Sequence, residues 1–593
     1  MTDLLVRAFG PWVRIVDRQT LRADLLAGML GALLVLPQGI AFAALAGLPS
    51  EYGLYTAIVP CVIAALFGSS WHVMSGPTNA NSLALFAMLT PLAAAGSPAY
   101  IQLALVVTLL VGLMQWLIGA LRLGSIANFI SPSALRGFTS GAAALIALHS
   151  LVDLFGLAPA ARHGTGALLV HLAAQSGALR PAALIVAAAT LAAVLVLRRW
   201  LPRSPFMLIG LVTGTLVAFA SSRAGSGSLA GGVALIGSIP TLWPSLHWPG
   251  LPIESLPELL SIAFALTIVA LGQSISIAKA VAARSGQPID ANREFRGQGL
   301  SNIVGGFFSS YVSCGSLNRS MPNLEAGART PLAAVFASAW LLLLVAGTAS
   351  VLALIPRAGV AALLVAVAWT LFDVPGWRRL WRESREDFVI ASVTACATVT
   401  IRLEMAIVLG TILSLVVYLH RTSRPYVRVM GFDRTADAPM SERPFVVRAD
   451  IAAPLPECPQ LKMIRMEGEV YFGAVPHVAD HLRDMRTAPD APRHLLVMAK
   501  SMNFIDLPAA DLWRSELLTR RTMGGDLYFH RPRPPVLAFW RHMGFTQELG
   551  PDHIFPTKRA AIATIFERLD RNICAQCTAR VFEECRSLPP PRL

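Results

Sequence analysis

Apolar stretches separated by short polar connections fill the chain from about residue 23 to residue 420. Fourteen of them can be placed, at 25–44, 53–68, 78–94, 100–120, 134–156, 181–198, 205–220, 257–279, 297–312, 316–328, 331–355, 358–372, 388–401 and 403–419. Several are shorter than the roughly 20 residues that an unbroken helix needs to cross a bilayer. The pattern predicts an α-helical polytopic membrane protein with fourteen transmembrane segments, some of them interrupted.

Basic residues are concentrated in alternate connections between these segments. If the N-terminal segment 1–22 is cytoplasmic, the even-numbered connections are cytoplasmic as well, and most of the bases lie there: Arg122, Arg198, Arg199, Arg203, Lys279, Arg284, Arg293, Arg296, Arg329, Arg378, Arg379, Arg382 and Arg385. Cytoplasmic loops of membrane proteins are rich in Lys and Arg. The distribution therefore predicts that both termini are cytoplasmic. We expect the protein in a bacterial-type inner membrane.

Composition and charge narrow the possible functions. Only 14% of the residues are charged, and 54% are hydrophobic, whereas soluble domains carry roughly 25% charged residues. The formal charge is +14, but the bases of the membrane region cluster between hydrophobic runs, so no nucleic-acid partner is expected. The seven cysteines have no regular spacing in the apolar region and do not indicate an extracellular disulfide framework.

After Arg421 the composition becomes mixed. We predict a linker at 421–445 and a small α/β domain at 446–572, because strand-sized and helix-sized apolar runs alternate there. The tail 573–593 contains Cys574, Cys577 and Cys585. A zinc site would need a fourth ligand, such as Cys458, a nearby His or a partner chain. Because this signal is weak, we predict free thiols, or a redox sensor, in preference to a metal site.

Two short runs of small and polar residues interrupt the apolar pattern, at 75–82 and at 313–320. A helix that begins inside the membrane exposes free N–H groups and the positive end of its dipole, which attract an anion. The two runs precede the third segment of each of two halves, 23–222 and 250–420, as in transporters built from inverted repeats. The alternative is that both are re-entrant turns whose polar side chains cap the helices.

Arg319 belongs to the second of these runs. A bare Arg in hydrocarbon costs at least about 2.5 kcal/mol on the insertion scale, so a negative group should visit it. Glu325 is the nearest acidic residue in sequence, but residues six positions apart on a helix lie on different faces. We therefore predict that Arg319 faces a cavity that admits an anion.

Motifs throughout the membrane region resemble those of the SulP family, the sulfate permease group of anion transporters. The first is Leu-Pro-Gln-Gly-Ile-Ala-Phe-Ala at 36–43. Others follow in the family's order at 46–49, 52–55, 65–70, 76–77, 137–141, 292–294, 297–302, 315–320 and 326–330. The resemblance implies a seven-plus-seven inverted repeat, divided into a core domain that holds the substrate and a gate domain against which it moves.

The resemblance also implies where the substrate binds, between spans three and ten, with side chains from spans one and eight. Carried over by motif, the site residues are Gln38, Phe42, Thr78, Asn79, Gln273, Ser316, Asn318 and Arg319. Many bacterial members have a Glu in span eight, where this chain has Gln273. Because Gln cannot exchange a proton, exchange, Na⁺ coupling and H⁺ coupling elsewhere all stay open.

The α/β region resembles a STAS domain, the cytoplasmic module that usually follows this transporter fold. Residues 464–472 are similar to its Gly-Xaa-Xaa-Tyr-Phe strand, and 502–506 to the strand before its first conserved loop. Related anti-sigma antagonists have a phosphorylated Ser in that loop, where this chain has Asp506 followed by Leu507, Pro508 and Ala509. We expect the domain to support folding and homodimer contacts, without a phosphoserine switch.

Together these observations predict secondary-active transport or exchange of a small inorganic anion by alternating access, with sulfate first and no cofactor beyond a possible coupling ion. The alternatives are a bicarbonate, dicarboxylate or other oxyanion transporter and an anion channel of the same fold. A nucleobase transporter would use acidic residues in spans eight and ten to hold the base, and span eight has none beyond Glu258 at its start. An enzyme would need a cluster of catalytic or metal groups in the apolar part, which the sequence does not offer.

Overall fold

The structure is a computed structural model, and it describes residue 6 and residues 9–125, 131–158, 165–175, 177–201, 206–223, 233–236, 243–250, 253–401, 403–434 and 443–588. Its contacts divide the chain into two units, residues 1–414 and 415–593. Each of the fourteen predicted apolar segments contains a helix. The predicted class, a polytopic helical membrane protein followed by a small α/β domain, is confirmed.

The described helices of the first half are α1 (Arg18–Leu45), α2 (Ser50–Phe67), α3 (Asn79–Leu89), α4 (Pro98–Ala120), α5 (Pro132–Leu154), α6 (Thr165–Ala174), α7 (Pro181–Trp200) and α8 (Phe206–Arg223). Those of the second half are α9 (Leu256–Ser285), α10 (Ala291–Phe307), α11 (Leu317–Glu325), α12 (Leu332–Leu352), α13 (Arg357–Leu371), α14 (Val374–Glu383), α15 (Arg385–Thr400) and α16 (Leu403–Thr422). Only α6 and α14 fall outside the predicted segments. Seven of the described helices are long and apolar enough to cross a membrane by themselves.

Helix packing follows the twofold relation expected of inverted repeats. We number the helices as spans 1 to 14, leaving out α6 and α14. Span 1 packs against span 11, and span 8 correspondingly against span 4. In the same way, the pair 2 and 11 corresponds to the pair 9 and 4, and the pair 5 and 13 to the pair 12 and 6. Exchanging each span with the one seven positions away converts the first pair of each set into the second. The pairs 2 with 9 and 5 with 12 are converted into themselves.

The same contacts separate two groups of helices. Spans 1–4 and 8–11 form what we call the core group, and spans 5–7 and 12–14 form the gate group. Contacts between the groups are made at α1 with α8, α1 with α13, and α3 with α5. The backbones approach closely within the core group: a Cβ added at Gly53 would lie 1.9 Å from the Gly39 carbonyl oxygen. Glycine at this position therefore lets α1 and α2 pack against each other.

The second unit is an α/β domain with one six-stranded sheet. Its strands are β3 (Tyr426–Gly431), β4 (Val446–Val447), β5 (Leu461–Val470), β6 (His494–Ile505), β7 (Leu527–His530) and β8 (Ile554–Phe555), in the order β4-β3-β5-β6-β7-β8. The strands β5, β6, β7 and β8 run parallel. Its helices are α17 (Val475–Thr487), α18 (Leu507–Thr522), α19 (Pro534–His542), α20 (Phe545–Leu549), α21 (Lys558–Glu567) and α22 (Arg571–Gln576).

The segment 421–445, predicted as a linker, contributes to this sheet. Strand β3 lies within it and pairs antiparallel with β5, from Tyr426 opposite Glu467 to Val429 opposite Ile464. The run is short and carries Arg428, so its apolar pattern is weak in the sequence. The strand forms because it pairs with a buried strand, and the β-propensity of its own residues is not sufficient.

The predicted tail also packs against the domain. Cys574, Val581, Phe582 and Cys585 are buried in an apolar cluster with residues of the sheet. The sequence of this short segment does not predict that it is buried, because its apolar residues follow neither a helical nor a strand period. The described part of the segment, up to residue 588, is thus an integral part of the domain core.

Asp506 has a structural role between β6 and α18. Its Oδ1 accepts a hydrogen bond from the Ala509 N–H at 3.1 Å, which caps α18, and its Oδ2 accepts one from the Phe472 N–H at 2.8 Å. Leu507 begins the helix and is exposed. The carboxylate therefore joins the end of β5 to the start of α18.

Candidate anion-binding site

Two half-helices begin side by side in the middle of the core group. The strands β1 (Ser75–Gly76) and β2 (Cys314–Gly315) precede α3 and α11 and pair antiparallel, with Ser75 opposite Gly315 and Gly76 opposite Cys314. With 11 and 9 residues, the helices are about 17 and 14 Å long, half the roughly 30 Å thickness of a bilayer core. The pairing places their positive N-termini next to each other.

The N-termini of α3 and α11 are not capped by the side chains at their cap positions. The residues at the cap positions are Thr78 and Ser316, both good capping residues in principle, yet neither side chain makes a capping hydrogen bond. Asn79 accepts from the Ala80 N–H at 2.9 Å. The alternative interpretation, re-entrant turns whose polar side chains cap the helices, applies to this one N–H group, while the hydroxyls of Thr78 and Ser316 make no capping hydrogen bond. Uncapped N–H groups at paired helix N-termini form a site that favours an anion.

Arg319 lies in the first turn of α11 and is 1% exposed. Its Nη2 donates to the Pro77 carbonyl oxygen at 3.0 Å, across the junction between the two half-helices. Within the described part of the chain, its Nε and Nη1 have no hydrogen-bond partner. Glu325 instead pairs with Arg284 at 3.4 Å, where both side chains are exposed. A buried guanidinium with unused donors and no carboxylate partner is a strong attractor for an anion.

Gly76 provides the space for this guanidinium. Its φ is +147°, and a Cβ added there would lie 3.0 Å from Arg319 Nη1. A larger residue would therefore have to displace the guanidinium as well as adopt a backbone conformation that favours glycine. A substitution at Gly76 would consequently also change the position of the Arg319 guanidinium.

The Cys314 thiol connects the two half-helices with α9. Its Sγ lies 3.3 Å from Thr78 Oγ1 and 3.2 Å from Gln273 Oε1. Ser274 Oγ accepts from the Gly315 N–H at 3.1 Å. The neutral side chain of Gln273 thus lies at the junction of the half-helices.

Buried hydrogen bonds hold the β1 and β2 segments in place. Gln298 Nε2 donates to Ser75 Oγ at 2.6 Å, and Asn302 Oδ1 accepts from the Ser313 N–H at 2.8 Å. Asn302 Nδ2 donates to Gln115 Oε1 at 2.8 Å and to the Ser313 carbonyl oxygen at 3.1 Å. Non-helical backbone at membrane depth needs enclosure by protein of this kind. Helix α10, which carries Gln298 and Asn302, therefore holds the two strands in position through these hydrogen bonds.

Not all of the predicted site residues contact the junction of the two half-helices. Thr78, Gln273 and Arg319 are tied to the junction by the contacts above. Asn79 and Ser316 start the half-helices, while Asn318 is exposed. Gln38 is buried in α1, with its Nε2 3.8 Å from Met207 Sδ on α8 of the gate group. Phe42 is buried in the main apolar cluster of the unit.

Sequence reasoning missed three residues at the junction. They are Cys314, which contacts both flanking helices, Ser274, which holds β2, and Asn81 of α3. Both amide atoms of Asn81 are buried without a geometrically acceptable hydrogen bond among the described residues, although its side chain lies close to the Cys314 thiol. A second Asn two positions after Asn79 was the signal available in the sequence.

The chain is similar to known proteins along most of its length. A family model described as "Sulfate permease family" matches residues 21–394. "Probable sulfate transporter MT1781" of Mycobacterium tuberculosis (strain CDC 1551 / Oshkosh) is 30% identical over 570 residues, 94% of this chain and 97% of that protein. "Probable sulfate transporter 4.2" of Arabidopsis thaliana is 26% identical over 582 residues, 94% of this chain and 83% of that protein.

The fold also matches solved structures along nearly the whole chain. The murine Slc26a9 anion transporter, in the inward-facing state, superposes with a TM-score of 0.84 over 96% of this chain and 95% of that chain, at 20% sequence identity. A likeness at this identity concerns the fold alone. With the family model covering most of the chain, the protein belongs to the sulfate permease family, whose members are membrane transporters of anions and not enzymes.

Proposed function

We propose that the chain carries sulfate across the membrane by alternating access, with the anion bound between the N-termini of α3 and α11. The observation that carries the proposal is the buried Arg319, which has two donor nitrogens without hydrogen bonds among the described residues. Guanidinium N–H groups donate strong, charge-assisted hydrogen bonds to the oxygens of an oxyanion. The names of both similar transporters support sulfate as the first choice.

The remaining predicted residues have distinct roles in this proposal. The uncapped first turns of α3 and α11, beginning at Asn79 and Leu317, donate backbone N–H groups to the anion. Thr78 and Gln273 are held beside them through Cys314 and contribute neutral donors. Gln38 and Phe42 line the approach from α1, and Ser316 and Asn318 complete the site when it opens.

Alternating access is supported by the separation of the helices into core and gate groups. The proposed anion site lies between helices of the core group, and the described helices of the core group contact the gate group most extensively at three helix pairs. Gln38 meets Met207 of the gate group through a weak, 3.8 Å contact to sulfur. Motion of the core group against the gate group would then carry the site from one side of the membrane to the other.

Three further properties belong to the proposal. Both termini lie in the cytoplasm and the protein resides in a bacterial-type inner membrane, as the distribution of bases predicts. The functional form is a homodimer. Because Gln273 cannot exchange a proton, we propose anion exchange or Na⁺ coupling, without any other cofactor, in preference to H⁺ coupling through this position.

Uptake of labelled anions into proteoliposomes tests the proposal. We expect saturable sulfate uptake that unlabelled sulfate on the opposite side accelerates, and that exceeds uptake of bicarbonate and of a dicarboxylate at equal concentrations. Na⁺ and pH gradients should be imposed separately to identify the coupling ion. Flux that does not saturate and shows no acceleration from the opposite side would indicate a channel. Preference for bicarbonate or a dicarboxylate would refute sulfate as the substrate.

A further inference from the structure

Four cysteines of the second unit surround one cavity in the described structure. Cys458 precedes β5, Cys574 and Cys577 flank the end of α22, and Cys585 lies in the last described turn of the chain. The remaining lining is mainly apolar, with Pro459, Leu569 and Val581, together with Gln460 and Arg580. In the sequence, more than a hundred residues separate Cys458 from the other three cysteines.

The local fold brings these cysteines together. Gln460 Oε1 accepts from the Asp570 N–H at 2.9 Å and its Nε2 donates to the Asp570 carbonyl oxygen at 3.0 Å, which fixes the start of α22 beside the Cys458 loop. Gln460 Nε2 also lies 3.2 Å from Cys574 Sγ. Arg580 adopts a left-handed conformation with φ +41°, and the chain turns there so that Cys585 returns to the cavity.

We propose that Cys458, Cys574, Cys577 and Cys585 bind a structural Zn²⁺ ion. Four sulfur ligands with a Cys-Xaa-Xaa-Cys pair are the usual set of a closed, tetrahedral zinc site. As they stand, the side chains are not assembled for a metal: no group of three or more His, Cys, Asp or Glu among the described residues has that geometry. Binding would need the thiols to change rotamer and turn into the cavity that they already line.

The surroundings suit a metal better than isolated thiols. Cys574 and Cys585 are buried and Cys458 is partly buried, all three in one apolar cluster of the domain, and with Cys577 they line a single cavity. Zn²⁺ would displace the four thiol protons into solvent without any change in oxidation state. The Gln460 amide is already placed to donate to one sulfur, as outer-shell groups of metal sites do.

The role of such a site would be to fasten the end of the chain to the sheet. The segment from Arg571 to Ser587 contributes only short helical turns and four buried apolar side chains. Ligands from two distant parts of the sequence would close a long loop, and metal binding to the folded state alone adds to stability. The zinc proposal does not depend on the transported anion, so its failure leaves the proposed function intact.

Elemental analysis of the full-length protein, purified without chelators, tests the proposal. We expect about one zinc per chain, retained in Cys396→Ser, whose thiol is exposed on α15, and lost in the double variant Cys574→Ser/Cys577→Ser. Because the double variant could fail to fold, Cys577→His serves as a second variant, and it should retain zinc because imidazole is also a zinc ligand. Wild-type protein that lacks zinc and takes up none from added ZnCl₂, or that contains iron or a Cys574–Cys577 disulfide, would overturn the proposal.

Discussion

Replacement of Arg319 by Ala is expected to lower sulfate uptake by at least about 30-fold, because loss of one member of a buried charge pair costs about 2–5 kcal/mol. The missing partner in this pair is the anion itself. The guanidinium is fully buried, and two of its nitrogens have no hydrogen bond within the described part of the chain. Initial uptake rates into proteoliposomes over a range of sulfate concentrations measure the effect.

Arg284→Ala is the matched control for this variant. Arg284 is also a basic residue of the core group, but it is exposed and pairs with Glu325 at 3.4 Å. Exposed ion pairs contribute little, so its uptake should stay close to that of the wild type. Size-exclusion profiles of the two variants should match. Uptake in Arg319→Ala equal to that of the control would remove Arg319 from the site.

The substitution Gln273→Glu should lower uptake near neutral pH by about 10-fold, a change within the range of coupling between neighbouring sites. Gln273 Oε1 lies 3.2 Å from Cys314 Sγ at the junction of the half-helices. A carboxylate there would compete with the anion for the positive site. Protonation removes the competing charge, so uptake by the variant should rise as the pH is lowered, whereas uptake by the wild type should not change in parallel.

Gln102→Glu controls for the added charge. Gln102 is exposed at the start of α4, where its Nε2 donates to the Gly250 carbonyl oxygen at 2.9 Å. This variant should reproduce the pH profile of the wild type. If Gln273→Glu also had the wild-type profile, the side chain of residue 273 would not influence the charge at the binding site.

The sequence predicted the helical framework well, for physical reasons that apply to membrane proteins in particular. Spans are marked by length and apolar composition, and interrupted spans by small and polar residues such as those at 75–82. Arg319 could be selected because a charged residue in an apolar region is costly. The pairing of β1 with β2 then agrees with the expectation that the two helix N-termini meet.

Other features depend on contacts between distant residues and could not be read from local pattern. Cys314 is an ordinary small residue in the sequence, and only the fold places it between Thr78 and Gln273. Strand β3 is short and half polar, and it is ordered by pairing with β5. The four cysteines of the second unit likewise come together only because Gln460 joins their two segments.

Anomalous X-ray diffraction from crystals grown with selenate, a heavier analogue of sulfate, tests the anion site most directly. The account predicts one strong selenium peak between the N-termini of α3 and α11, within hydrogen-bond distance of the Arg319 guanidinium. Selenate that is transported but bound at another place in the protein, with the junction of the two half-helices empty, would contradict it.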